Sequence, residues 1–284
     1  MTVPCGPAAP SFEPATREPP SRAVPAAGVA ALRRRLRDAL AGGDRVVGTF
    51  LKLPSADCVD LARQAGFDFV VVDLEHSSLP EATALALVRH AAATGLPALV
   101  RVPAVDPALI NRVLEAGAAG VQLSTLTAVA EVAALTGATR YAPHGRRSVS
   151  LSHPAAGFGA VDLAAYLAAE AQDPPLLVGQ IETAVTLDPV PELVGGLDVA
   201  FVGTTDLVVG MGLPGPEALR AKVEEIVGAA LSAGVAPGGW IARADEELLT
   251  GGGLGAARYL VVGSDVQLLG SALREVIHRW KEAQ

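Results

Sequence analysis

The stretch FDFVVVDLEH, residues 67–76, decides the fold of this chain. Five of its first six residues are apolar, and Asp73, Glu75 and His76 then arrive within four positions. A strand with one wet face alternates apolar and polar residues. A continuous apolar run belongs to a strand covered on both faces, as in a parallel sheet clad with helices. The charged end marks where such a strand would leave the core.

The same unit recurs along the chain. VAALRRRLRDALAGG (29–43) reads as an amphipathic helix and RVVGTFLKLP (45–54) as a strand. SADCVDLARQAG (55–66) follows as a helix with Ser55 as N-cap and Gly66 as its stop. Downstream, a helix over 80–95 leads to the strand LPALVRVP (96–103), then to a helix opened by Asp106 with Pro107 at its first position. Further strands are AAGVQLST (118–125), PLLVGQIET (175–183), LDVAFVGTTDL (197–207), VAPGGWIAR (235–243) and RYLVVGSD (258–265), with an irregular segment over 141–159. Eight strands in about 255 residues, nearly every one followed by a helix, predict an α/β fold of the (β/α)8 TIM-barrel type. The competing doubly wound sheet would carry a Gly-rich phosphate loop after its first strand, and none is present. The Pro/Ala-rich residues 1–28 read as a disordered leader, or alternatively a partner-binding arm, and 29–284 as the catalytic barrel.

Composition narrows the function. The chain is half apolar, so a large core needs no disulfide staple. Its two cysteines, Cys5 and Cys58, fit a reducing cytoplasm. A net charge of -8 argues against a general nucleic-acid binder. No apolar run approaches the ~18 residues of a membrane span, and no signal peptide is expected.

In a barrel of this type, catalytic groups sit at the C-terminal ends of the strands. Glu75 and His76 end the second expected strand, Arg101 the third, and Gln180 and Glu182 the fifth; Asp206 follows the sixth and Asp265 the eighth. Taken singly, an acidic residue after a strand is usually a helix cap, as Asp73 and Asp265 could be. Taken together, a rim of such charges would repel and desolvate unless something bound it. Glu182 and Asp206, on strands ~5 Å apart, can share one cation. Without cysteine or a second metal-spaced histidine, the site is all-oxygen and suits Mg²⁺ or Mn²⁺. A 2-oxo acid would fill the remaining positions, and the ion would polarise its ketone and ease enolate formation. His76 is then the base and Arg101 the group that stabilises the oxyanion. Glu115 would orient His76 or be a solvated helix residue. Glu75 would support a metal-bound water or position its neighbour. His144 and His153 could reach the rim from the long loop, while His90 and His278 read as surface residues.

These residues, as GFDFVVVDLEH, VRVP…DP…I…LEAG, RYAPHGRRS, GQIET, DVAFVGTTDL and VVGSD in this order, resemble the HpcH/HpaI aldolase family over about residues 45–280. The resemblance implies a class II, metal-dependent pyruvate aldolase, of the 4-hydroxy-2-oxoheptanedioate aldolase kind. That is a carbon–carbon lyase which splits a 4-hydroxy-2-oxo acid into pyruvate and an aldehyde through a pyruvate enolate on the metal. It implies Glu182 and Asp206 as ligands of Mg²⁺, Mn²⁺ or Co²⁺, with Gln180 and the backbone at Gly203, Thr204 and Thr205 holding the pyruvate carboxylate. It also implies His76 as base, Arg101 as enolate stabiliser, Glu115 as the acidic partner of His76, and a homo-oligomer, a trimer or a hexamer built as a trimer of dimers. The chain departs from the family's pattern at Ser124, at Arg147-Ser148 and, within Gly203-Thr204-Thr205-Asp206-Leu207-Val208, at Thr204 and Val208, positions expected to line or border the pocket. Three other readings stand beside the aldolase. The same enolate could serve a decarboxylase or another C–C bond-forming enzyme, including one of secondary metabolism. Lys52 could form a Schiff base. The barrel could be a non-catalytic binding subunit, which would predict loss of the metal ligands.

Overall fold

The computed structural model describes residues 28–243 and 245–283. The leader reading therefore falls, but for Gly28, outside the described residues. Eight parallel strands close into a barrel in chain order: β1 Val46–Leu51, β2 Phe69–Asp73, β3 Ala98–Val102, β4 Gly120–Leu123, β5 Leu176–Ile181, β6 Val199–Val202, β7 Ala236–Ile241 and β8 Tyr259–Ser264. The helices are α1 Val29–Gly42, α2 Ala56–Ala65, α3 Glu81–Thr94, α4 Pro107–Ala116, α5 Val129–Thr139, α6 Leu163–Gln172, α7 Val190–Leu193, α8 Thr204–Gly210, α9 Pro216–Ser232, α10 Glu246–Gly251 and α11 Asp265–Glu282. This is the TIM barrel that the continuous apolar runs predict. Among the described residues, no helix is long and apolar enough to cross a membrane.

The opening stretch shows why its strand is apolar throughout. Phe69 and Val71 point into the barrel, where they meet Leu99, Val178 and Phe201. Val70 and Val72 point outward against the helices, into a second cluster with Val59, Val88 and Val100. All four are fully buried, and burying a side chain of this kind contributes about 1.5–3 kcal/mol. Inward positions recur every second residue. The register that sets Asp73 beside Arg101, and Arg101 beside Gln122, therefore stacks a polar layer on the apolar interior. That layer is the floor of the site.

The opposite mouth is closed by α1. Leu36 and Leu40 enter the interior cluster, and Arg33 donates to the Ala118 carbonyl and ion-pairs with Glu170 at 2.6 Å. Helix caps follow the sequence: Ser55 accepts from the Asp57 N–H, Asp106 from Ala108 and Leu109, and Gly66 ends α2 in the left-handed region at φ 90°.

All eight strands stop short of their expected ends, by one to five residues. The second ends at Asp73 because its carboxylate accepts the N–H groups of Glu75 and His76, folding the chain into a turn. The fifth ends at Ile181. The sixth ends at Val202, and residues 204–210, expected to continue the strand as far as Leu207, form α8, opened by the Leu207 N–H to Gly203 carbonyl bond. Asp265 is not the cap of α11; Ser264 is, and the Asp265 carboxylate instead accepts the N–H groups of Lys52 and Leu53, tying β8 to the end of β1.

Candidate active site

Asp73 is fully buried and organises the rim. Its carboxylate receives the Arg101 guanidinium at 2.9 and 2.6 Å, the N–H groups of Glu75 and His76 at 3.1 Å, and the Lys52 ammonium at 3.2 Å. Burial alone would raise its pKa. The Arg101 hydrogen bonds and charge, with the two backbone donors, override that and hold the carboxyl below the usual range. Arg101 in turn stacks 4.3 Å over the Phe50 ring and places Nη1 3.2 Å from Glu75 Oε2. His76 leaves the turn with its ring half-exposed, Nε2 3.7 Å from Glu75 Oε2.

Glu182 is the second anchor. Thr125 holds its Oε1 with both N–H and hydroxyl at 2.8 Å, and the Gln180 amide donates to Oε2. Gln180 is oriented by Gln122, whose amide donates to its Oε1 at 2.8 Å. Burial raises the Glu182 carboxyl, and the charge of Glu75 adds to this, against the Gln180 and Thr125 hydrogen bonds.

Two lobes of one rim meet at His76 and Asp206. The first, about 290 Å³, is lined by Phe50, Lys52, Arg101, Gln180, Trp240 and Gln267, with the chain from Gly203 to Asp206 along one side. The second, about 570 Å³, is lined by Glu75, Thr125, Glu182, Thr183, Val185 and Val209 with the two shared residues. Three carboxylates thus border the second lobe. Two buried oxygens there accept no hydrogen bond, Thr183 Oγ1 and Glu75 Oε2, the latter already ion-paired with Arg101. Among the described residues, no group of three or more His, Cys, Asp or Glu side chains is arranged to hold a metal ion by itself. A cation in this lobe would draw on Glu182, Asp206 and non-protein oxygens. The all-oxygen donor set and the open Thr183 Oγ1 fit a hard divalent ion.

The chain therefore brings together His76, Glu75, Arg101, Gln180, Glu182 and the stretch 203–206. It leaves others apart. Glu115 accepts from Asn111 at 3.2 Å in the last turn of α4. A helix of a βα unit runs back against its strands, so this turn lies at the barrel end away from His76. Arg147 does not border either lobe; it is buried against Glu170, Asn111 and the Tyr141 ring. His153 bonds the Ser150 carbonyl and packs on Tyr166, and His144 lies against Arg140 and Pro143, so neither reaches the rim. His90 pairs with Asp60 and His278 with Glu282. Ser124 is buried, its hydroxyl on the Val102 carbonyl. Asp206 stands in the first turn of α8, not at strand height beside Glu182. Thr125, Gln122, Phe50, Trp240 and Gln267 are site residues that the sequence reading missed. Thr125 ends the expected fourth strand, so the rule that singled out Glu182 could have found it; its φ of 51° could not have been foreseen.

The carboxylates, histidine and arginine stand at the C-terminal rim of the parallel barrel, where enzymes of this architecture carry their chemistry. A sequence profile of the HpcH/HpaI aldolase/citrate lyase family matches residues 46–272, and the chain belongs to that family. It is 32% identical to a hydroxypyruvate/pyruvate aldolase of Sagittula stellata over 84% of this chain and 95% of that protein. It is 30% identical to a 4-hydroxy-2-oxovalerate aldolase of Novosphingobium aromaticivorans over 86% and 93%. The crystal structure of an HpcH/HpaI aldolase from Desulfitobacterium hafniense superposes with a TM-score of 0.79 at 28% identity, covering 87% of this chain and 96% of that one.

Proposed function

We propose that this chain is a divalent-metal-dependent aldolase that cleaves a 4-hydroxy-2-oxo acid to pyruvate and an aldehyde, or joins the two, in the cytoplasm that its cysteine usage fits. The observation that carries this is the convergence of His76 and three carboxylates, Glu75, Glu182 and Asp206, on one lobe beside Arg101. Glu182 and Asp206 would hold Mg²⁺, Mn²⁺ or Co²⁺, which when bound supplies Lewis acidity to a ketone oxygen.

The chain's own residues supply the rest. Gln180 and the backbone over 203–205 border the first lobe and hold the carboxylate of pyruvate. Arg101, fixed by Asp73, presents a permanent positive charge where the enolate oxygen develops, and a preorganised charge of this kind lowers the barrier directly. In cleavage, a base takes the C4 hydroxyl proton, the C3–C4 bond breaks as the aldehyde forms, and the electron pair moves onto the 2-oxo group as an enolate. Protonation at C3 completes pyruvate. In synthesis, His76 takes the methyl proton, its half-exposed imidazole standing at the junction of the lobes. Lys52 as a Schiff-base nucleophile is disfavoured by its ion pair with Asp73, since an ammonium held on a carboxylate has no lone pair to offer.

We further propose that the working form is a homo-oligomer, a trimer or hexamer. None of the 18 residues of α11 is buried, and Leu269, Leu273, Val276, Ile277 and Trp280 form one exposed stripe at helical spacing. A patch of this size marks an interface.

The test is exchange of the pyruvate methyl protons in D₂O, followed by NMR with Mg²⁺ or Mn²⁺ and with chelator. Exchange that needs the metal supports the reading. Exchange that survives chelator and is stopped by borohydride would move the chemistry to Lys52, and no exchange with metal present would end the enolate reading.

A further inference from the structure

Thr125 stands at the rim with its backbone in the left-handed region, at φ 51°. Among the described residues, Phe158 and Leu213 are the only other non-glycines there, and Thr125 alone of the three is β-branched, the shape that suits the region least. Such a conformation costs energy and persists only where its surroundings enforce it. Here the following peptide is pinned. Leu126 donates its N–H to the Gln180 carbonyl at 2.8 Å, which holds the turn after β4 against β5. The strained residue then turns both of its donors onto one atom: its N–H and its hydroxyl each reach Glu182 Oε1 at 2.8 Å.

A carboxylate oxygen offers two acceptor positions. Thr125 fills both on Oε1. The Gln180 amide fills one on Oε2, and Gln122 fixes that amide's orientation by donating to its Oε1 at 2.8 Å. Glu182 is thus left with a single open acceptor position, on Oε2. Thr125 and Glu182 line the second lobe together.

Resting on the reading of Glu182 as a metal ligand, we propose that Thr125 is a positioning residue: its hydroxyl keeps Glu182 Oε1 out of ligation, so that the carboxylate gives a cation one oxygen and not two. Mg²⁺ and Mn²⁺ accept single carboxylate oxygens in an octahedral shell. Ca²⁺ is larger, gathers six to eight oxygens and readily takes both from one carboxylate. The conformation of Thr125 therefore works against Ca²⁺, which must displace the hydroxyl to reach the second oxygen.

The test measures Mn²⁺ and Ca²⁺ affinities by titration calorimetry, without substrate, in wild type, Thr125→Val, Thr125→Ser and Ser124→Ala. Wild type is expected to bind Mn²⁺ more tightly than Ca²⁺. Thr125→Val, equal in shape and still carrying the N–H, should lower the Mn²⁺-to-Ca²⁺ affinity ratio on the order of tenfold, the worth of a hydrogen bond to a charged group that Ca²⁺ no longer has to displace. Thr125→Ala makes the same deletion should the valine protein fail to fold. Thr125→Ser retains the hydroxyl and should retain the ratio. Ser124→Ala removes a neighbouring hydroxyl that bonds the Val102 carbonyl and not Glu182, so it should leave the ratio as it is. A ratio that survives loss of the Thr125 hydroxyl would overturn the proposal. So would an equal fall in Ser124→Ala, which would mean that any loosening of this turn alters selectivity. The aldolase reading fails separately: wild type that binds Mn²⁺ but does not exchange pyruvate methyl protons loses the enolate chemistry and keeps this assignment. Wild type that binds neither ion loses Glu182 as a ligand, and this assignment with it.

Discussion

Replacing Gly203 by alanine is a sharp test of how Glu182 is held. Gly203 has an ordinary φ of -84°, so the backbone accepts any residue. The obstacle is space: an added Cβ would stand 2.6 Å from Glu182 Cβ and 3.1 Å from Gln180 Nε2, and would overlap Glu182 Oε2. Unstrained carbon pairs sit at ~3.5–4.0 Å, so the Glu182 side chain has to retreat by about 1 Å. It cannot do so without loosening its bonds from Thr125, both 2.8 Å long. Over-packing of this kind costs about 1–3 kcal/mol of stability. A displaced ligand set costs roughly tenfold to a hundredfold in metal affinity. The assay pairs titration calorimetry with Mn²⁺ and urea unfolding. Gly228→Ala is the control: it lies in the middle of α9 with nothing within 4 Å of an added Cβ. There the same substitution should stabilise by about 0.5–1 kcal/mol, through helix propensity and unfolded-state entropy. Gly203→Ala protein that binds Mn²⁺ and exchanges pyruvate protons as wild type does would refute the placement of Glu182 in the metal site.

Asp73→Asn removes the bidentate, fully buried counter-ion of Arg101 and leaves it only Glu75, which should cost up to about 3–5 kcal/mol, read as a lower urea midpoint at fixed protein concentration; Asp73→Leu with Arg101→Met should recover most of that. The sign with pH follows from the lowered Asp73 pKa: its contribution is complete above the unfolded carboxyl pKa of ~3.9 and fades as pH falls through the lower folded value. Acid titration of wild type should therefore show a stability loss below about pH 4 that the Leu/Met pair lacks. His76→Gln should slow methyl exchange by about 10²–10⁴-fold while leaving the unfolding midpoint near wild type, since the ring is half-exposed. Leu273→Glu with Ile277→Glu should lower the sedimentation coefficient to that of a smaller assembly, and an unchanged value would show that the α11 stripe is not the interface.

Much of this was legible in the sequence because barrel strands announce themselves twice. Val70, Val71 and Val72 are apolar on both faces, and the first polar residue after such a run must lie at the rim. That rule found Glu182, Gln180, Arg101 and His76. It could not decide how the chain turns once the ladder ends. Gly203 through Leu207 read as strand because Val202 and Leu207 are both apolar, yet Leu207 is buried beneath α8 as part of a helix. Nor could it tell which end of a helix faces the site: Glu115 and Asp206 look alike in one dimension, and only the direction of α4 separates them. Phe50, Trp240 and Gln267 were hidden for a different reason. Apolar and amide side chains at strand and helix ends are common, and only closure of the barrel brings β1, β7 and α11 to one wall.

That closure has a consequence for when the site exists. β1 is held on one side by β2 and on the other by β8, the first strand of the barrel against its last. The carboxylate that fixes the N–H of Lys52 belongs to Asp265, beyond the end of β8. A chain leaving the ribosome can therefore have formed the turn at His76 and the Glu182 anchor while one wall of the pocket is still missing. The wall of the first lobe that β1 and α11 build together is thus the last part of the rim to be assembled, so the pocket is complete only when the whole chain has folded.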